Sequence, residues 1–219
     1  MKRLLLILIV LSMGSILLAE DDDFLMSYKV LRYPFYIYSN AESKLDRGIP
    51  SGWMGDIRDI RMDNRWDKNT RSGSSALRVT YTAAGEGDGW AGLYFQSNPN
   101  NYWISIRGGY DLTPAKKVYF YARGKHGNEV VEFSMNRTRQ QNPKDSKTSK
   151  KIVLSKEWKK YEIDLSCLEL KDIAGGFGFV LYAKDNPDGC TFYVDDVYYS
   201  NNEESTSLSA QRTAYNELN

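Results

Sequence analysis

The feature that most constrains this chain is its division into short segments where large aromatic or β-branched residues alternate with polar ones, separated by Gly, Asn, Asp and Pro. Successive side chains of a strand point to opposite faces, so such a segment is written for a sheet with one face buried. The last segment, TFYVDDVYY (Thr191–Tyr199), adds a sharper constraint. Its adjacent carboxylates, Asp195 and Asp196, cannot both face solvent if the strand is buried on one side. An ionised carboxylate against an apolar core costs several kcal/mol or more unless it is paired or bound to a metal.

The same pattern recurs along the chain. YPFYIYS (Tyr33–Ser39) opens it, with Pro34 near the start, where a strand tolerates proline. A loop rich in turn formers through Gly48, Pro50 and Gly52 leads to IRDIRMD (Ile57–Asp63), which alternates weakly. ALRVTYT (Ala76–Thr82), WAGLYFQ (Trp90–Gln96), KVYFYAR (Lys117–Arg123) and VVEFSM (Val130–Met135) alternate clearly. KIVLS (Lys151–Ser155), WKKYEIDLS (Trp158–Ser166) and FGFVLYA (Phe177–Ala183) complete the set. Roughly ten strands at this spacing, with no convincing helical stretch, predict an all-β, antiparallel jelly-roll β-sandwich over residues 33–200.

The flanks carry different information. Lys2 and Arg3 precede an apolar run from Leu4 through Val10 to Ala19, and an acidic cluster begins at Glu20. This predicts a secretory signal over residues 1–19, and hence a secreted or periplasmic product, followed by a lead-in over 20–32. Leu17 fits the cleavage pattern poorly, so an uncleaved membrane anchor stands as the alternative. The polar segment 201–219 has little to bury and is read as a tail.

A net charge of +1 without a basic block argues against nucleic acid and, once the signal is removed, against a membrane as partner. The two cysteines, Cys167 and Cys190, would both reach an oxidising compartment. A disulfide between them is expected, the alternative being two separately buried thiols.

No catalytic signature is present. The single histidine, His126, lies in the turn GKHGN and is expected to be a solvated turn residue. No Ser or Cys sits in a context that supplies a base, although two carboxylates facing across a scissile bond remain open. A hard cation such as Ca²⁺ takes carboxylate, amide and carbonyl oxygens. Asp195 or Asp196 can offer one ligand, and Asn40 and Glu42, just after the first strand, can offer others; a salt bridge to arginine or a tight-turn carboxylate is the competing account. Five Trp and sixteen Tyr exceed what a core of this size needs. Flat sugar faces stack on such rings while their hydroxyls bond Asp, Asn, Gln and Arg. Trp90, Tyr94 and Gln96 share one strand face; Tyr119, Tyr121 and Arg123 share another. With Arg123, Glu132 and Asn136 placed on like faces, the set favours a binding cleft.

Taken in order, GSSALRVTYT, DGWAGLYFQ, DLTPAKKVYFYARG, VVEF, EWKKYEIDLS, GGFGFV and NPDGCTFYVDDVYY resemble the glycan-binding modules of the galactose-binding-like β-sandwich group, from about Pro34 to Tyr199. The resemblance implies a structural calcium ion held by Asn40, Glu42, the neighbourhood of Ser72, and Asp195. Family members often carry acidic residues where this chain has Ser39 and Asn40. It implies a sugar platform of Trp90 and Tyr182, with Tyr94, Arg123 and Asn136 as cleft neighbours. The expected function is a secreted, non-catalytic carbohydrate-binding module for a polysaccharide or oligosaccharide such as a β-glucan. The alternatives are a protein-binding, assembly or adhesion module on the same fold, and a small polysaccharide-cleaving enzyme.

Overall fold

A computed structural model describes residues 32–84, 87–99, 109–138, 147–171 and 173–201. The expected signal (1–19), nearly all of the lead-in and nearly all of the tail lie outside these residues. Eleven strands are described: β1 (Phe35–Tyr38), β2 (Ile49–Gly55), β3 (Ile60–Trp66), β4 (Ala76–Tyr81), β5 (Trp90–Gln96) and β6 (Lys117–Gly124). They continue with β7 (Val130–Thr138), β8 (Lys147–Val153), β9 (Lys159–Asp164), β10 (Ile173–Tyr182) and β11 (Cys190–Ser200).

The strands form two antiparallel sheets. One runs β3-β4-β11-β6-β9, with β1 paired to β11; the other runs β2-β5-β10-β7-β8. Alternation decides what lies between them. Ala91, Leu93 and Phe95 of β5, Val131, Phe133 and Met135 of β7, and Phe177, Phe179 and Leu181 of β10 point inward and are buried. Across the core they meet Val118, Phe120 and Ala122 of β6 and Phe192 and Val194 of β11. Phe133 is the hub, its ring centroid 4.6 Å from Phe120, 5.9 Å from Phe177 and 6.0 Å from Phe192.

Long β11 changes neighbours along its length. Its first half pairs with β4, ending at Val194 opposite Leu77, and its second half pairs with β1. The exchange coincides with a bulge after Asp195, where Asp196 adopts a left-handed backbone (φ 48°) that aspartate tolerates better than branched residues do. Both carboxylates are buried.

Two segments differ from the expectation. Residues 49–55, read as a loop because of Pro50 and Gly52, form β2; it is an edge strand, where proline and glycine cost least. The Ile57–Asp63 strand starts later, at Ile60, because Ile57–Asp59 make a tight corner with N–H bonds from Ile57 to the Gly55 carbonyl and from Asp59 to the Asp56 carbonyl.

The expected disulfide is corrected. Cys190 opens β11, two residues from Phe192, which pairs with Gly124 at one end of β6. Cys167 follows β9, whose last residue, Asp164, pairs with Lys117 at the other end of β6. Eight residues of strand hold those ends about 20 Å apart, whereas a bridge needs Cα atoms within about 7 Å. Both thiols are free, Cys167 exposed and Cys190 half-buried. Burial, with help from the Glu129 carboxylate, pushes the Cys190 thiol up to about 12. Since the thiolate is the nucleophile, native protein is expected to alkylate at Cys167 alone near neutral pH. After unfolding without reductant, two thiols should react; finding none would restore the bridge.

Candidate functional site

The outer face of the five-stranded sheet is built from residues that alternate with the core set. Trp90, Gly92, Tyr94 and Gln96 come from β5, Gly178, Val180 and Tyr182 from β10, and Glu132 and Ser134 from β7. Trp90 and Tyr182 are direct register partners, so two half-buried aromatic residues lie opposite each other at one end of this face.

The surroundings hold each ring. Trp90 lies against Gly55, where φ is +66° and a Cβ would come within 2.9 Å of indole carbons. The Asp56 carboxylate then accepts N–H bonds from Asp88 (3.0 Å), Gly89 (2.8 Å) and Trp90 (3.2 Å), locking the turn that delivers the tryptophan. The Tyr182 hydroxyl donates to Glu132 Oε2 at 3.2 Å. Burial first, then the Glu132 charge, raises the phenol above its ordinary value, so it remains a donor at neutral pH. Lys151 and Lys184 lie 5.4 and 5.2 Å from the Tyr182 ring centre, and Lys151 also binds Asp185 at 2.8 Å.

Tyr94 is floor. Its ring packs against Gly178, where a Cβ would collide with it, and its hydroxyl shares a 2.8 Å hydrogen bond with Ser134. At 7% exposure it is largely covered on this outer face. Asn136, also expected here, pairs in backbone register with Gly175 of β10 and Lys147 of β8. Strand patterns placed Glu132 on a like face; Lys151 and the Asp56 clamp are the contributors they left out. Asp56 is the hardest to find, because it lies in a turn far in sequence from Trp90.

Arg123 is a correction. It belongs to β6, in the other sheet, where it is 8% exposed with its guanidinium 3.9 Å from the Tyr193 ring centre. Alternation places a residue on a strand face but does not say which sheet the strand joins, so Arg123 cannot neighbour Trp90.

The expected calcium ligands partly converge. Asn40 Oδ1 accepts N–H bonds from Ser74 (2.9 Å) and Ser75 (3.4 Å). Asp195 Oδ2 accepts from Arg71 (3.1 Å) and Ser72 (3.2 Å), and Oδ1 from Asp196 (2.8 Å). The Ser72 hydroxyl donates to Asp196 Oδ2 at 2.7 Å. These bonds resolve how two adjacent carboxylates are buried at the bulge. Nearby Asp46, bonded by Ser39 and Asn40, is raised above its ordinary value by burial. Glu42 is a second correction: its carboxylate forms an exposed 2.7 Å ion pair with Arg65. Among the described residues, no group of three or more His, Cys, Asp or Glu is placed to hold a metal.

The platform on one sheet face and the jelly-roll frame agree with a family comparison: the profile of carbohydrate binding domain 30 matches residues 43–201. The chain belongs to that family. No curated protein matches it. Among solved structures, a family 30 carbohydrate-binding module is 15% identical with TM-score 0.55, covering 80% of this chain and 91% of its own. The family 30 module of the cellulosomal cellulase Cel9D-Cel44B of Clostridium thermocellum is 14% identical with TM-score 0.54, covering 78% and 98%. At these identities the structural likeness speaks to the fold: both are β-sandwich relatives of this carbohydrate-binding domain 30 chain.

Proposed function

We propose that this family 30 domain is an exported, non-catalytic module that binds a β-glucan on the outer face of the five-stranded sheet. The observation that carries it is the Trp90–Tyr182 pair, two half-buried rings in direct register on an open face. Rings seated this way offer flat stacking surfaces, while the Tyr182 hydroxyl, Glu132 and Lys151 supply polar groups for sugar hydroxyls. The carboxylates of Glu132, Asp185 and Asp56 beside the platform are already engaged, by Tyr182, by Lys151 and by backbone N–H groups, which favours binding over acid–base cleavage. The β-glucan class rests on the cellulosomal origin of the Clostridium thermocellum relative. Export rests on the Lys2–Ala19 segment. The test is native electrophoresis through gels cast with hydroxyethylcellulose or mixed-linkage β-glucan. Retardation relative to a plain gel is expected, and unchanged mobility in both would overturn the proposal.

A structural calcium ion is proposed for the opposite end of the fold. Asn40, Asp195 and the Ser72 region, with Asp46 beside them, offer the hard oxygens such an ion takes, and it would tie β1 to β11 there. An ion bound only by the native state at about 100 times its dissociation constant adds roughly 2.7 kcal/mol. Melting in millimolar calcium should therefore exceed melting in excess EDTA; superimposable curves would remove the ion from the account.

A further inference from the structure

The outer face of the six-stranded sheet carries an ordered band that the β-glucan platform does not use. Across the sheet, rings and cations alternate: Trp158, Arg123, Tyr193, Arg78, Trp66. Arg123 lies 5.4 Å from the Trp158 ring centre and 3.9 Å from that of Tyr193. Tyr193 pairs in register with both Arg123 and Arg78, and Arg78 lies 4.2 Å from the Trp66 ring centre. The band crosses from the start of β9 to β3, about 19 Å at ordinary strand spacing. Trp158 and Trp66 are half-buried and keep part of their rings in solvent. Trp158 is held in place by its indole N–H bond to the Asn69 carbonyl (2.9 Å).

The charges on this face are concentrated. Asp63 balances Arg78 at 3.1 Å and Glu162 balances Lys117 at 3.0 Å. Among the described residues, no carboxylate forms an ion pair with Arg71 or Arg123. Arg71 stacks on Tyr121 at 4.2 Å and Lys160 on Tyr119 at 4.1 Å. Burial, and then repulsion from Arg71 and Lys117 against the pull of Glu162, leaves Lys160 below the ordinary lysine value. Arg123 is nine-tenths buried, yet its Nε–H has no hydrogen-bond partner. A buried donor left open is costly, and like charges gathered on one face are relieved by an anion.

We infer that this face is a second glycan site that takes an acidic polysaccharide, one whose sugar rings carry carboxylates. Trp158 and Trp66 stack the rings, and Arg123, Arg71 and Lys160 take the carboxylates. A neutral glucan brings no counter-charge to Arg71 and Arg123, and an acidic peptide lacks the flat rings. This site lies on the sheet opposite Trp90, so it stands or fails separately from β-glucan binding.

The test is native electrophoresis of the purified protein through gels containing polygalacturonate, neutral β-glucan or polyglutamate. The polygalacturonate gel should slow the wild type, an effect weakened several-fold by 0.5 M salt. Trp90→Ala should leave that slowing intact. The double variant Arg71→Gln/Lys160→Gln, which alters side chains at the rim of the core, should reduce it at least tenfold while leaving β-glucan mobility and the thermal melt unchanged. Trp158→Phe gives a milder second variant and should weaken it in part. No slowing by polygalacturonate, equal slowing by polyglutamate, or full slowing of the double variant would each overturn the inference.

Discussion

Phe133→Ala is expected to cost about 3–5 kcal/mol of unfolding free energy, the largest stability loss of any change considered. Phe133 is fully buried and packs against Phe120 and Phe177 and, edge-on, Phe192, so it joins the two sheets at the centre of the core. Truncation removes apolar burial and the ring–ring contacts together, and strands hydrogen-bonded on both sides of β7 cannot collapse to fill the space. Because domains of this size are stable by only about 5–15 kcal/mol, the loss is a large share of the total. A denaturant midpoint shift with an unchanged slope is the expected reading. Phe133→Leu should cost clearly less. A loss under about 1 kcal/mol for Phe133→Ala would mean that the two sheets do not meet through this ring.

Trp90→Ala is expected to abolish retardation by β-glucan while costing well under the 3–5 kcal/mol of a buried tryptophan. The indole is half-buried and rests on Gly55, so truncation uncovers backbone without opening a cavity between the sheets. The Asp56 clamp binds backbone N–H groups of residues 88–90 and should survive the change, leaving the turn in place. Two measurements on one variant separate the possibilities. A melt close to wild type with lost retardation supports the platform. A loss of several kcal/mol would make Trp90 a core residue, and retained retardation would move the sugar elsewhere.

Much of the architecture could be read from local pattern. Strand alternation put Trp90, Tyr94 and Gln96 of β5 on one face and Tyr119, Tyr121 and Arg123 of β6 on one face, because a sheet with one buried face imposes a period of two whatever its partners. Asp195 and Asp196 stood out as a buried carboxylate pair, but that they sit at the bulge where β11 exchanges β4 for β1 came only from the pairing of strands. Pattern failed for β2, since an edge strand need not exclude proline or glycine. It could not pair Cys167 with Cys190 or keep them apart, because their separation is set by which ends of β6 their strands reach.

The cleft shows the same division. Trp90, Tyr94 and Tyr182 were identifiable as aromatics on strand faces, but that Trp90 and Tyr182 are partners is a matter of register between β5 and β10, distant in sequence. Arg123 had the right alternation and the wrong sheet. Asp56 had no periodic signal at all, since a turn carboxylate acts by accepting N–H bonds from a segment more than thirty residues away. The sequence by itself determined the sandwich and the inward face of most strands, because those follow from side-chain direction along one strand. Tertiary structure decided which strands lie side by side, and with that the membership of each outer face, because sheet order and register depend on long-range pairing that no local alternation encodes.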